Sequence, residues 1–152
     1  MGNRCESAIC ESRAEAAVSA IWHHIGDGQH YCGCRDAPGA GFEVRHDDDE
    51  QSVLVTPENI RISKKAFVAA LQYLVEHDHD HHEPCPVRSN SHPLRAGPLC
   101  RATRDANANV RCIDYILPIL ASRRIVHLDD GPPARTWLTH VFLHTEPHAP
   151  AP

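Results

Sequence analysis

The chain has 152 residues, 41% of them hydrophobic and 23% charged, which suits one ordinary domain or two small subdomains sharing a core and excludes a wholly disordered protein. It lacks a run of about 18 apolar residues, so no membrane span is expected, and residues 1–20 carry Glu6, Glu11 and Glu15 without an apolar core, so no secretory signal is expected and a cytoplasmic location follows by default. The formal net charge of −5 argues against a generic nucleic-acid binder, but the balance is −8 over residues 1–83 and +3 over residues 84–152, so the second half is the basic one.

In chain order, Glu11 to Ile25 reads as a helix, with Ala14, Ala17, Val18, Ile21, Trp22 and Ile25 on one face and Gly26 and Gly28 ending it. Residues 29–45 are turn-rich, through Cys32–Gly33–Cys34 and Pro38–Gly39–Ala40–Gly41. Phe42–Glu43–Val44 and Ser52–Val53–Leu54–Val55 read as two strands of a hairpin around the acidic tip Asp47–Glu50. A second helix opens at Ile62 with Ser63 as a candidate N-cap and the stripe Phe67, Ala70, Leu71, Leu74 and Val75, then runs into His77–His82. Glu83 to Pro98 is a Pro/Ser/Asn-rich connection, and Leu99 to Asp105 a short helix.

The stretch from Asn107 to His140 carries the strongest pattern. Asn109 to Arg123 reads as an amphipathic helix burying Val110, Ile113, Ile116, Leu117 and Leu120, with Pro118 expected to bend or split it. Ile125–Leu128, a turn through Gly131, Pro132 and Pro133, and Thr136–His140 follow as a hairpin. The expected fold is therefore α+β: a helix–β-hairpin–helix part over residues 1–83, a winged helix-turn-helix over 84–145, and a flexible tail over 146–152.

Winged helices commonly bind double-stranded DNA through the helix before the hairpin. Arg101, Arg104, Asn107, Asn109 and Arg111 gather at or before the start of that helix, where base edges would be met. Arg pairs in a bidentate way with guanine and Asn with adenine. Arg123, Arg124 and Arg135 fall at the helix end and wing, where phosphate contacts are expected. The alternatives are a protein-interaction module, whose acidic half meets a basic partner or mimics DNA, and a metal-dependent hydrolase.

Residues 21–74 resemble a small module of bacterial restriction endonucleases and related phage-defence or DNA-associated proteins. The residues concerned are Ile25, Gly28, Tyr31, Phe42–Glu43–Val44 and the run Ile60 to Leu71, joined later by Gly97–Pro98–Leu99 and Tyr115 to Leu120. The module carries a short Gly-x-Pro-Phe turn where this chain has a longer Cys-Gly-Cys and Pro-Gly-Ala-Gly insertion. There is no Asp…Glu-x-Lys nuclease signature. The resemblance implies an accessory DNA-binding piece, a regulator or part of a restriction or defence system, and not a cutting enzyme.

Seven cysteines and thirteen histidines invite a metal. The odd cysteine count suits free thiols or ligands better than a disulfide framework. Cys32, Cys34 and Cys85 with one His are the candidate set for a structural zinc, although Cys32-x-Cys34 is tighter than the usual two-residue knuckle. His77 and His81 would lie one helical turn apart if the second helix continued through them. No phosphate-binding loop and no HExxH or GxSxG motif is present, so no catalytic residue is assigned.

Overall fold

The chain folds as α+β. The computed structural model describes residues 7–25, 29–32, 41–129, 131 and 133–144, and these form five helices and two antiparallel sheets. Helix α1 (Ser7–Trp22) is followed by β1 (Gln29–Cys32), β2 (Gly41–His46), β3 (Ser52–Thr56) and β4 (Ile60–Ser63), an antiparallel meander in that order. Then come α2 (Lys64–Glu76), β5 (Cys85–Pro86), α3 (Pro98–Asp105), α4 (Ile113–Ser122), β6 (Val126–Asp129), β7 (Arg135–Leu138) and α5 (His140–His144). The second sheet has the order β5–β7–β6, so the short strand ahead of α3 pairs with the last strand of the hairpin. None of the described helices is long and apolar enough to cross a membrane.

The hairpin expected from alternating residues is present: Val44 faces Val55, and Phe42, Val44, Val53 and Val55 point inward. At its tip Arg61 of β4 reaches both Asp47 (2.6 Å) and Asp49 (3.0 Å), which offsets part of the acidic charge. In the first sheet, two strands have no counterpart in the sequence pattern. β1 lies in the turn-rich stretch and pairs Tyr31 with Phe42. β4 runs to Ser63, although the apolar spacing opens a helix at Ile62.

Ser63 is the N-cap of α2; its hydroxyl oxygen accepts from the Ala66 N–H at 3.2 Å. The expected stripe of α2 is buried. One side of α2 packs on α1, where Phe67 meets the Trp22 ring edge-on at 5.4 Å, and another packs on α3. One hydrophobic core therefore runs through α1, the meander, α2, α3, α4 and the second sheet.

α4 begins four residues later than its periodicity predicts. Ala108 (φ 51°) and Asn109 (φ 64°) take left-handed backbone in a turn, which a helix cannot include. Val110, expected in the buried stripe, is consequently 44% exposed. Pro118 sits inside α4 without splitting it. It forfeits the bond to the Asp114 carbonyl, close to the helix start, and its ring is buried.

Candidate nucleic-acid interface

Beyond β5, Arg88 (φ 43°) turns the chain and the Gly97 N–H closes a loop on the Arg88 carbonyl at 2.9 Å. The Arg88 side chain lies against Gly97: a Cβ there would stand 2.8 Å from Arg88 Cβ, so only glycine fits without displacement. Inside the loop, His92 to Arg95 make a β-turn, the Arg95 N–H donating to the His92 carbonyl at 3.0 Å with Pro93 second in the turn. Asn90 Oδ1 accepts from the His92 N–H, and Arg104 Nη1 donates to the Ser91 carbonyl at 2.8 Å. Ser89 Oγ donates to Asp114 Oδ2 at 2.6 Å and ties the loop to the start of α4.

Five arginines and one acidic residue, Asp105, fall between residues 88 and 111. Arg88, Arg95, Arg101 and Arg111 are exposed and Arg104 is half-buried. Arg101 and Arg104 are neighbours three residues apart on α3, and Arg88, Arg95 and Arg104 all belong to or touch the 88–97 loop. Among the described residues no carboxylate forms an ion pair with Arg88, Arg95, Arg101, Arg104 or Arg124.

The residues expected to contact DNA divide into four groups. Arg101 and Arg104 stand in this basic surface, and Arg104 Nε also donates to Asn109 Oδ1 at 3.0 Å. Arg111 lies 3.9 Å from Asp114, while Arg124 is exposed in the turn after α4. Arg123 donates to the His24 carbonyl, and Arg135 pairs with Asp129 at 2.8 Å within the hairpin, so neither is held out towards a ligand. Asn107 is buried, 5% exposed. Its Oδ1 accepts from the Ser63 N–H at 2.9 Å, and its Nδ2 donates to the carbonyls of Arg61 (3.1 Å) and Val110 (3.2 Å). It locks the α3–α4 turn onto the β4–α2 junction and offers nothing to a base.

Nor does α4 present a face of its own. Ile113, Ile116, Leu117, Pro118, Ile119 and Leu120 are buried. Tyr115 meets Phe42 edge-on at 5.2 Å, and Phe42 stacks on Tyr31 at 5.6 Å, so β1 and β2 pack against the Tyr115 side of α4. Burial pushes both the Tyr31 and the Tyr115 phenols above their ordinary range, with nearby Glu58 and Asp114 adding to the shift at Tyr115. The sequence periodicity marks α4 as amphipathic but cannot reveal that the N-terminal sheet packs against its Tyr115 side as well.

For a metal, Cys85 is buried in β5 and burial pushes its thiol up to about 11. The Cys32 side chain and Cys34 lie outside the described residues. Cys85, Cys100 and Cys112 are free and buried, while Cys10 is disulfide-bonded, a departure from the expectation of free thiols. α2 ends at Glu76, so His77 and His81 do not share a helical face. His77 instead stacks on Tyr73 at 4.2 Å and on His79 at 6.1 Å. Among the described residues no three His, Cys, Asp or Glu side chains gather as a metal-holding group.

No family model matches this chain, and no curated protein and no solved structure matches it.

Proposed function

We propose that this protein is a non-enzymatic double-stranded DNA-binding module of winged-helix type, a regulator or accessory piece of a DNA-acting system, that grips phosphates without reading bases through α4. The connectivity α2–β5–α3–α4–β6–β7, with β5 joined to β7, supports the winged-helix part of this reading. The observation that carries the DNA part is the arginine surface of the 88–97 loop and α3, four of whose arginines have no carboxylate partner among the described residues. Guanidinium groups free of internal partners remain available for phosphate oxygens, and such contacts position a duplex without sequence information. α4, covered by the core and by β1 and β2, does not enter a groove. The contact set is therefore Arg88, Arg95 and Arg101, with Arg111 and Arg124 at its margin, while Arg104, which donates to Ser91 and Asn109, braces the loop from α3.

The acidic-partner reading is less favoured, because Arg61 already bridges Asp47 and Asp49 at the hairpin tip. Fluorescence-anisotropy titration of a labelled duplex at low and near-physiological salt tests the proposal. Binding that weakens steeply as salt rises is the expected result. Absence of binding even at low salt overturns it and favours a protein partner.

A further inference from the structure

We propose that Leu94, with Pro93 beside it, is a wedge that inserts between base steps of the bound duplex and kinks it. This rests on the DNA-binding reading above and adds to it a second, apolar mode of contact. Leu94 is 85% exposed, against 36–61% for the other exposed large apolar side chains. A single exposed leucine needs no explanation by itself. The surroundings of this one do.

Leu94 occupies the third position of the His92–Arg95 turn, and that turn is fixed rather than loose. Its own N–H donates to His92 Nδ1 at 3.3 Å, the Arg95 and Ala96 N–H groups both donate to the His92 carbonyl, and Arg104 holds Ser91 from α3. Pro93 restricts the backbone just ahead of it. The apolar tip is thus ordered before any ligand arrives, so little conformational freedom is lost on insertion.

Arg88 and Arg95 on the same loop and Arg101 on the helix that follows it are all exposed and without a carboxylate partner among the described residues. An apolar prong set among cations matches a duplex, where phosphates flank an apolar base stack. Proteins that bend DNA use leucine and proline in this way, unstacking one step and gaining phosphate contacts from the bend. A lipid surface would also attract arginines, but one leucine and one proline offer too little apolar area for stable anchoring. The duplex is therefore the favoured ligand.

The test uses a duplex of about 20–30 base pairs carrying end dyes for energy transfer and an internal 2-aminopurine as a stacking probe. Wild-type protein should raise both energy transfer and 2-aminopurine fluorescence. Leu94→Ala, at an exposed site that leaves the fold intact, should still bind in a salt-dependent way, with a slope no steeper than wild type, but lose most of both signals. Its affinity should fall by about tenfold. Leu94→Met should restore the signals. Wild-type binding without either signal, or equal signals from Leu94→Ala, overturns the wedge and leaves the phosphate grip standing. No duplex binding by the wild type overturns both. Binding to anionic phosphatidylserine vesicles in preference to the duplex overturns the wedge in favour of lipid.

Discussion

Replacing Asn107 by Ala separates a structural residue from a base-reading one. The amide joins three backbone groups: the Ser63 N–H and the carbonyls of Arg61 and Val110, at 2.9, 3.1 and 3.2 Å. Each such bond contributes about 0.5–1.5 kcal/mol net, and a buried partner left unsatisfied costs about 1–3 kcal/mol. Water reaches some of the vacated groups, because the junction is only part-buried, so the sum comes to roughly 2–4 kcal/mol. That is a large share of the about 5–15 kcal/mol by which a domain is stable. At about 2–4 °C per kcal/mol for a chain of this length, Tm should fall by roughly 5–15 °C. Asn107→Asp should be no better, because it keeps the acceptor for Ser63 but turns a carboxylate oxygen towards two carbonyls. Urea unfolding followed by circular dichroism gives the stability, and duplex titration of the folded variant gives its affinity. A large loss of stability with affinity unchanged is expected. Unchanged stability with weakened DNA binding would place Asn107 on the ligand and refute the reasoning.

Ser63→Ala removes the cap on α2 and the bond from the hydroxyl to the Ala106 carbonyl at 2.8 Å, and should cost about 1–2 kcal/mol in thermal unfolding; a loss inside measurement error would contradict the capping role. Gly97→Ala should displace Arg88 from the loop closure, with faster amide exchange over residues 88–97 as the readout; exchange identical to wild type would show that the packing there is slack. Burial raises the thiol of Cys85 to about 11 and that of Cys112 to about 12, so both stay neutral in the folded chain when the unfolded chain has begun to ionise. Folded values above the unfolded ones mean that this stability is complete below about pH 9 and is lost as pH climbs through about 11 and then about 12. Native protein at about pH 8, below the ordinary thiol range, should accordingly resist iodoacetamide at both thiols; rapid labelling of either would refute their burial.

Much of the framework is legible in the chain because its signals are local. The β2–β3 hairpin follows from alternation, α2 from an apolar stripe behind a serine cap, and the β6–β7 hairpin from two strand-like runs around Gly131. Other elements depend on partners distant in sequence. β1 is four residues long and stands only because Tyr31 and its neighbours pair with β2, while β5 is two residues long and pairs with β7 across some fifty residues, from Cys85 to Thr136. Neither has a pattern long enough to see. Periodicity misplaces the start of α4 because it does not encode the left-handed backbone of Ala108 and Asn109. Arg101 and Arg104 can be singled out by charge alone. Arg88, Arg95 and Leu94 cannot, because their significance lies in a loop closed by Gly97 and pinned by Arg104. Asn107 misleads for the opposite reason: an asparagine before a helix suits both a base contact and a buried clasp, and only three-dimensional packing decides between them.

The central claim is that the arginine surface of the 88–97 loop and α3 grips duplex phosphates. Measuring the slope of log affinity against log salt for wild type and for an Arg88→Ala/Arg95→Ala/Arg101→Ala variant tests it most directly. The account predicts that the variant binds more weakly and that its slope flattens by about 0.9 for each phosphate the protein no longer neutralises. Equal affinity and an equal slope in the two proteins would contradict it.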